Sequence, residues 1–194
     1  MIPTIPLGPR NRLAELIVNA IHDVTARTEL EEIAASSTAP TGWLAENETG
    51  HAAALIARAR AAWCALERES LRPRERTLED TLEVAAALFD SGLGFEVHEL
   101  LEPYWAAASG PEREALQGLI QIAVGYQHLA NGNVAGAGSL LDEGSKRLAV
   151  GTLATLDLAA FARAVRADLT GGFPTGLRSA SLAPPHFPRL TRAA

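Results

Sequence analysis

The chain is short of cysteine, lysine, methionine and aromatic side chains. Cysteine and methionine occur once each among 194 residues, and aromatics make up 5%. A single cysteine, Cys64, excludes an internal disulfide and a metal–thiolate set. It lies beside Trp63 in an alanine-rich stretch and reads as a small core hydrophobe. Lys146 is the only lysine, which points to a GC-rich bacterial genome. Net charge is −6 and no long basic run is present, which argues against a nucleic-acid partner. The opening Met1-Ile2-Pro3-Thr4-Ile5-Pro6 has neither the charged leader nor the apolar core of a secretory signal. Residues 115–141 carry no Asp, Glu, Lys or Arg. Glutamines, His128, asparagines and glycines interrupt them, so no membrane helix is expected. The expectation is a cytoplasmic protein. There is no strand pattern, no repeat of fixed period, no glycine-rich phosphate loop and no dinucleotide fingerprint.

Helical periodicity is what remains. The composition, 47% hydrophobic and 21% charged, is that of a globular protein long enough for one domain with an extension. Leu13, Leu16, Ile17, Ala20, Ile21 and Val24 form a helical stripe, with His22 beside it as a surface or capping residue. Residues 34–42 read as a loop. Residues 50–71 predict a helix with Leu55, Ile56, Ala59, Trp63 and Leu66 on one side. Arg58, Arg60, Glu67, Arg68 and Glu69 are expected on the solvated opposite face. Residues 72–76 read as a solvated basic linker and as a domain boundary. Thr77 resembles an N-cap with Glu79 and Asp80 in the first turn. Leu82, Ala85, Ala86 and Phe89 then face inward up to a stop at Ser91-Gly92.

Residues 95–108 predict a helix with Phe95, His98, Leu101, Glu102 and Trp105 on one face. Pro103 should kink it or force a fresh start after Glu102. Ser109-Gly110-Pro111 breaks the chain. Residues 113–129 predict a second helix whose face carries Arg113, Gln117, Ile120, Gln121, Val124 and His128. So short a break makes the two helices antiparallel neighbours. The register places Trp105 opposite Arg113 or Glu114, Glu102 opposite Gln117, and His98 opposite Gln121. Gly118 and Gly125 suggest close helix approach. Asn131-Gly132-Asn133 marks a turn. Ala137, Leu140, Leu141 and Leu148 mark one more helix. Leu156, Ala159, Ala160, Ala164 and Val165 mark the last, ending at Gly171-Gly172. Residues 171–194 read as a proline-rich tail that packs on the bundle.

Three blocks in this order resemble the family called domain of unknown function 309. They are Phe89-x-x-Gly92-x-x-Phe95-Glu96-x-His98-Glu99-x-x-Glu102-x-x-Trp105, then Gly110-x-x-Arg113-x-x-x-Gln117-Gly118-Leu119-Ile120-Gln121-x-Ala123, then Gly132-Asn133-x-x-Gly136-Ala137-x-x-Leu140-Leu141. The resemblance implies a small all-helical bundle of a soluble protein and no particular activity. Gly94 stands where the family usually has an aromatic, and Leu93 where it is usually polar. The expected architecture is all-α, a small antiparallel helical bundle at 77–170, an N-terminal helical extension at 1–76 and a tail at 171–194.

The candidate polar site comprises His98, Glu99, Glu102, Trp105, Arg113, Gln117, Gln121 and His128. One reading is a buried hydrogen-bond network across the hairpin, in which two amides and an arginine satisfy a carboxylate and an imidazole. The other is a metal or small-molecule site with His98 and Glu102, four apart, as ligands. His98 to Glu102 meets neither the zinc-protease pattern nor the Glu-x-x-His of di-iron bundles, and His128 lies too far along its helix to join His98. Glu99 and Glu102 could do acid–base work, although paired acids on helices are usually plain charges. The network reading is favoured. It makes the chain a partner- or ligand-binding module, with a homo-oligomer allowed and no cofactor specified. The alternative is a metal-assisted hydrolase using His98 and Glu102, with Arg113 or the glutamines orienting substrate.

Overall fold

A computed structural model describes residues 1–154, 156–171 and 184–190. Among the described residues there is no strand, and the architecture is the expected all-α one. The helices are α1 (Leu7–Asn19), α2 (Val24–Ala35), α3 (Ala52–Leu66), α4 (Leu78–Asp90), α5 (Gly94–Ala107), α6 (Gly110–Ala130), α7 (Val134–Leu148) and α8 (Leu158–Gly171). A single 3-10 turn, Glu46–His51, leads into α3. Each helix packs on the next, and α1 also reaches α3 and α5. No helix among the described residues is long and apolar enough to cross a membrane.

The helix ends follow side-chain chemistry. The apolar stripe from Leu13 to Val24 is not one helix, because the Asp23 carboxylate caps α2. It accepts from the amides of Thr25 at 2.7 Å and Ala26 at 3.1 Å, and Val24 is left 64% exposed. Thr77 caps α4 by accepting from the Asp80 amide at 3.1 Å, as its sequence context suggests. Asn133 caps α7 through the Gly136 amide at 2.9 Å. Pro103 does not restart α5, which runs unbroken from Gly94 to Ala107. Pro103 is exposed, so the carbonyl it leaves unpaired sits on the watered side of the helix.

Gly118 and Gly125 do mark a close approach, but the partner is α7. A Cβ on Gly118 would meet the Gly144 carbonyl oxygen at 2.9 Å, and one on Gly144 would meet the Gly118 carbonyl at 2.9 Å. The two backbones touch where neither residue has a side chain.

One buried cluster runs from Ile5 in the N-terminal segment to Phe187, so the core does not divide at residue 76. Phe89 is its aromatic hub, 6.0 Å from Tyr126, 6.0 Å from Phe161 and 5.3 Å from Phe187. Such pairs contribute about 0.5–1.5 kcal/mol each beyond their buried area. The tail therefore docks where it is described: the Phe187 amide donates to Asp90 Oδ1 at 2.9 Å, and Arg189 pairs with Asp90 at 2.6 Å. The expected helix end at Gly171-Gly172 falls at the margin of the described residues, and residues 172–183 and 191–194 lie outside them.

Three expectations for the N-terminal half need correction. Cys64 is exposed, because the buried stripe of α3 is Leu55, Ile56, Ala59, Ala62 and Leu66. Arg58 belongs to that stripe and is 0% exposed. The linker at 72–76 is not simply solvated: the Arg72 side chain, 18% exposed, pairs with Asp80 at 2.8 Å and with Glu69 and Glu83 at 3.1 Å each. Its amide donates to the Ile21 carbonyl at 2.9 Å, stitching the α1–α2 turn to α4.

Candidate functional site

The hairpin of α5 and α6 has the expected register and an unexpected rotation. At its tip the Arg113 guanidinium lies 4.1 Å over the Trp105 ring and donates to the Trp105 carbonyl at 2.8 Å. Further along, however, α5 buries Gly94, Glu96, Val97, Leu100 and Leu101. The face carrying Phe95, His98, Glu102 and Trp105 is turned away by about one residue position, about 100°. Leu93, Val97, Leu100 and Leu101 offer a more continuous apolar stripe, and at roughly 25 cal/mol per Å² buried area decides which stripe faces in.

The predicted network across the hairpin is therefore not formed. Glu102 is exposed and His98 half-buried. Among the described residues no hydrogen bond joins either of them to Gln117 or Gln121. Gln121 turns instead to α7 and donates to Glu143 at 3.0 Å. Gln117 is half-buried. His128 pairs with Asn133 Nδ2 at 2.8 Å in the α6–α7 turn.

What the structure does bring together is His98, Glu99 and Glu102 on the outer face of α5. His98 Nδ1 is 3.0 Å from Glu99 Oε1, and one potential ligand atom from each of the three lies within 4.8 Å of the others. A cation with bonds of about 2.1 Å needs its ligand atoms within about 4.2 Å of one another, a difference that small side-chain rotations cover. Beside the cluster is a cleft of about 320 Å³ lined by Glu99 and by Asn11, Glu15 and Asn19 of α1. Imidazole and carboxylate oxygen together suit zinc, manganese and related divalent ions.

The largest buried polar network lies on the opposite side of α5. Arg58 and Glu96, both 0% exposed, form a bidentate pair, with Arg58 Nη2 at 2.7 and 2.6 Å from the two carboxylate oxygens. Arg58 Nη1 donates to the carbonyls of Ile2 at 2.9 Å and Pro3 at 3.2 Å, and to Gln127 Oε1 at 3.3 Å. Gln127 Nε2 donates to the same Ile2 carbonyl at 2.8 Å. The sequence held a signal for each member of the pair. Arg58 stands three residues after Leu55 and four before Ala62, and Glu96 stands three after Leu93 and four before Leu100. Periodicity placed both inside, while charge argued for the outside. A further polar pair, part-buried, is remote: Tyr126 donates to Asp168 at 2.5 Å. Burial first, and this bond second, push its phenol far above the ordinary range.

The model of one protein family, Domain of unknown function (DUF309), matches residues 82–140. No curated protein and no solved structure matches the chain. The matched segment reaches from α4 into α7. It holds the outer face of α5, the Trp105–Arg113 stack, Glu96 and Gln127. Arg58 and the N-terminal segment that bind its inner side lie outside it. Gly94 has a physical reason: a Cβ there would stand 2.3 Å from the Ala123 carbonyl oxygen, so α5 and α6 approach too closely for any side chain.

Proposed function

We propose that the protein is a non-catalytic helical binding module whose ligand, a divalent cation, sits on the outer face of α5. The observation that carries this reading is the cluster of His98, Glu99 and Glu102, with ligand atoms within 4.8 Å of one another beside a cleft edged by Glu15 and Asn19. His98 and Glu102 are one turn apart, so a single rigid helix presents both. The remaining coordination positions face water and the cleft, where a partner carboxylate or a second protomer could complete them.

A metal-assisted hydrolase would use the same three side chains, with the ion activating water. Arg113, the candidate for orienting a substrate, is instead engaged at the hairpin tip. It stacks on Trp105 and donates to the carbonyls of Trp105 and Ala108. That favours binding over catalysis.

The test is calorimetric titration of the full chain, purified without a histidine tag, with Zn²⁺ and Mn²⁺. Saturable binding of one ion is expected, weakened about tenfold or more by His98→Ala and by Glu102→Gln, which corresponds to about 1.4 kcal/mol or more. Melting temperatures of the ion-free proteins should stay unchanged. Binding that survives both substitutions, or no saturable binding, would overturn the reading. Turnover of an ester or phosphoester that appears with the ion and disappears in Glu102→Gln would favour the hydrolase.

A further inference from the structure

The N-terminal segment before α1 is held in a way that resembles a bound peptide more than a packed terminus. Among the described residues, the hydrogen bonds to the main chain of residues 2–4 come from residues far along the sequence. The Ile2 amide donates to the Gly92 carbonyl at 3.0 Å. The Ile2 carbonyl accepts from both Arg58 and Gln127. The Pro3 carbonyl accepts from Arg58 at 3.2 Å, and the Thr4 amide donates to Asn131 Oδ1 at 2.8 Å. Ile5 then drops into the core at 3% exposure.

Three features make this a receptor for extended backbone. First, the guanidinium of Arg58 is fully buried, and Glu96 satisfies its Nε and Nη2. Besides Gln127 Oε1 at 3.3 Å, the acceptors for Nη1 among the described residues are the two carbonyls of the segment, Ile2 at 2.9 Å and Pro3 at 3.2 Å. A buried donor left unpaired is costly, so the cleft favours main-chain carbonyls on the segment that fills it. Second, among the described residues no hydrogen bond to residues 2–4 from outside the segment uses their side chains, so the cleft reads main-chain polarity. Third, it offers partners for the amide and carbonyl of the first residue, the carbonyl of the second and the amide of the third. Proline at the second position has no amide hydrogen to leave unpaired. At the floor, a Cβ on Gly92 would stand 3.0 Å from the Met1 Cα, so only glycine lets the segment lie so close.

We propose that the cleft between α3, α5 and α6 is a peptide-binding site. Its ligand is an extended segment with proline at the second position and a buried aliphatic side chain two residues later. Residues 2–5 occupy it in cis, and the same segment of a second copy can occupy it in trans. The site is independent of the α5 outer face and of any cation there.

The probe is a fluorescent peptide spanning residues 1–8, titrated by polarisation against full-length protein. In the wild type the tethered segment competes at a roughly millimolar effective concentration, so weak binding is expected. Ile5→Ser removes the anchor of the cis segment and should tighten peptide binding about tenfold or more. A peptide with Pro3→Ala should bind the variant severalfold more weakly, and adding Gln127→Leu to Ile5→Ser should abolish binding. Should Ile5→Ser lose its cooperative thermal transition, Thr4→Pro serves instead, since it removes the bond to Asn131 and the long one from the Thr4 hydroxyl to the Ile5 carbonyl. Equal affinity for wild type and weakened-segment variants, or no binding to the variants at about 1 mM peptide, would overturn the proposal. Equal affinity for the native peptide and the one carrying Pro3→Ala would overturn the proline specificity.

Discussion

Glu96 and His98, two residues apart on α5, face opposite sides of the helix. Glu96 is 0% exposed against Arg58, whereas the His98 side chain is 29% exposed against Glu99. The same helix thus carries a buried structural carboxylate and a solvent-facing imidazole–carboxylate cluster, and substitutions on its two sides should separate cleanly.

Arg58→Met should leave Glu96 as a buried charge without its partner. Breaking such a pair costs about 3–5 kcal/mol. Urea unfolding should show a loss of that size in the single variant and recovery of most of it in Arg58→Met with Glu96→Leu, where no charge is left uncompensated. A double variant as unstable as the single would show that the pair is not the source of the loss.

The glycines should divide by what surrounds them. Gly118→Ala places a Cβ 2.9 Å from the Gly144 carbonyl and should lower the melting temperature. Gly138, inside α7, has nothing within 4 Å of the place a Cβ would take. Gly138→Ala should therefore stabilise by about 0.5–1 kcal/mol, the ordinary helix-propensity gain. If both substitutions moved the melting temperature the same way, the close seam between α6 and α7 would be in doubt.

His22 should make the protein less stable in mild acid. Burial, and then the charges of Arg76 and Arg74, hold its imidazole below the ordinary value of 6.5. The unfolded chain therefore binds the proton more readily than the folded one. Stability is lost as pH falls through 6.5 and levels off below the folded value. Chemical denaturation between about pH 7 and 5 should show this slope, and His22→Gln should flatten it.

Asp23 acts lower on the pH scale. The amides of Ala26 and Thr25 hold its carboxyl below 3.8, so its contribution is complete above that value and disappears as pH falls through the folded one. Asp23→Ala should therefore destabilise α2 at neutral pH, and the gap from wild type should close on acidification. A gap independent of pH would mean that the cap does not depend on the carboxylate charge.

The helices from α3 onward, the Thr77 cap, the stop at Gly92 and the Trp105–Arg113 register at the hairpin tip were legible in the residues, because each depends on neighbours within a few positions of the chain; α2, hidden in the run after the Leu13–Val24 stripe, was not. Which stripe of α5 turns inward was not. Two overlapping stripes compete there, and the choice depends on what α1, α3 and α6 offer it. Arg58 and Glu96 show the same limit: either charge alone belongs in water, and only their meeting across 38 residues of sequence makes burial tolerable. Local order is written in spacing and capping; the placement of buried charge is decided by a partner that only the folded chain supplies.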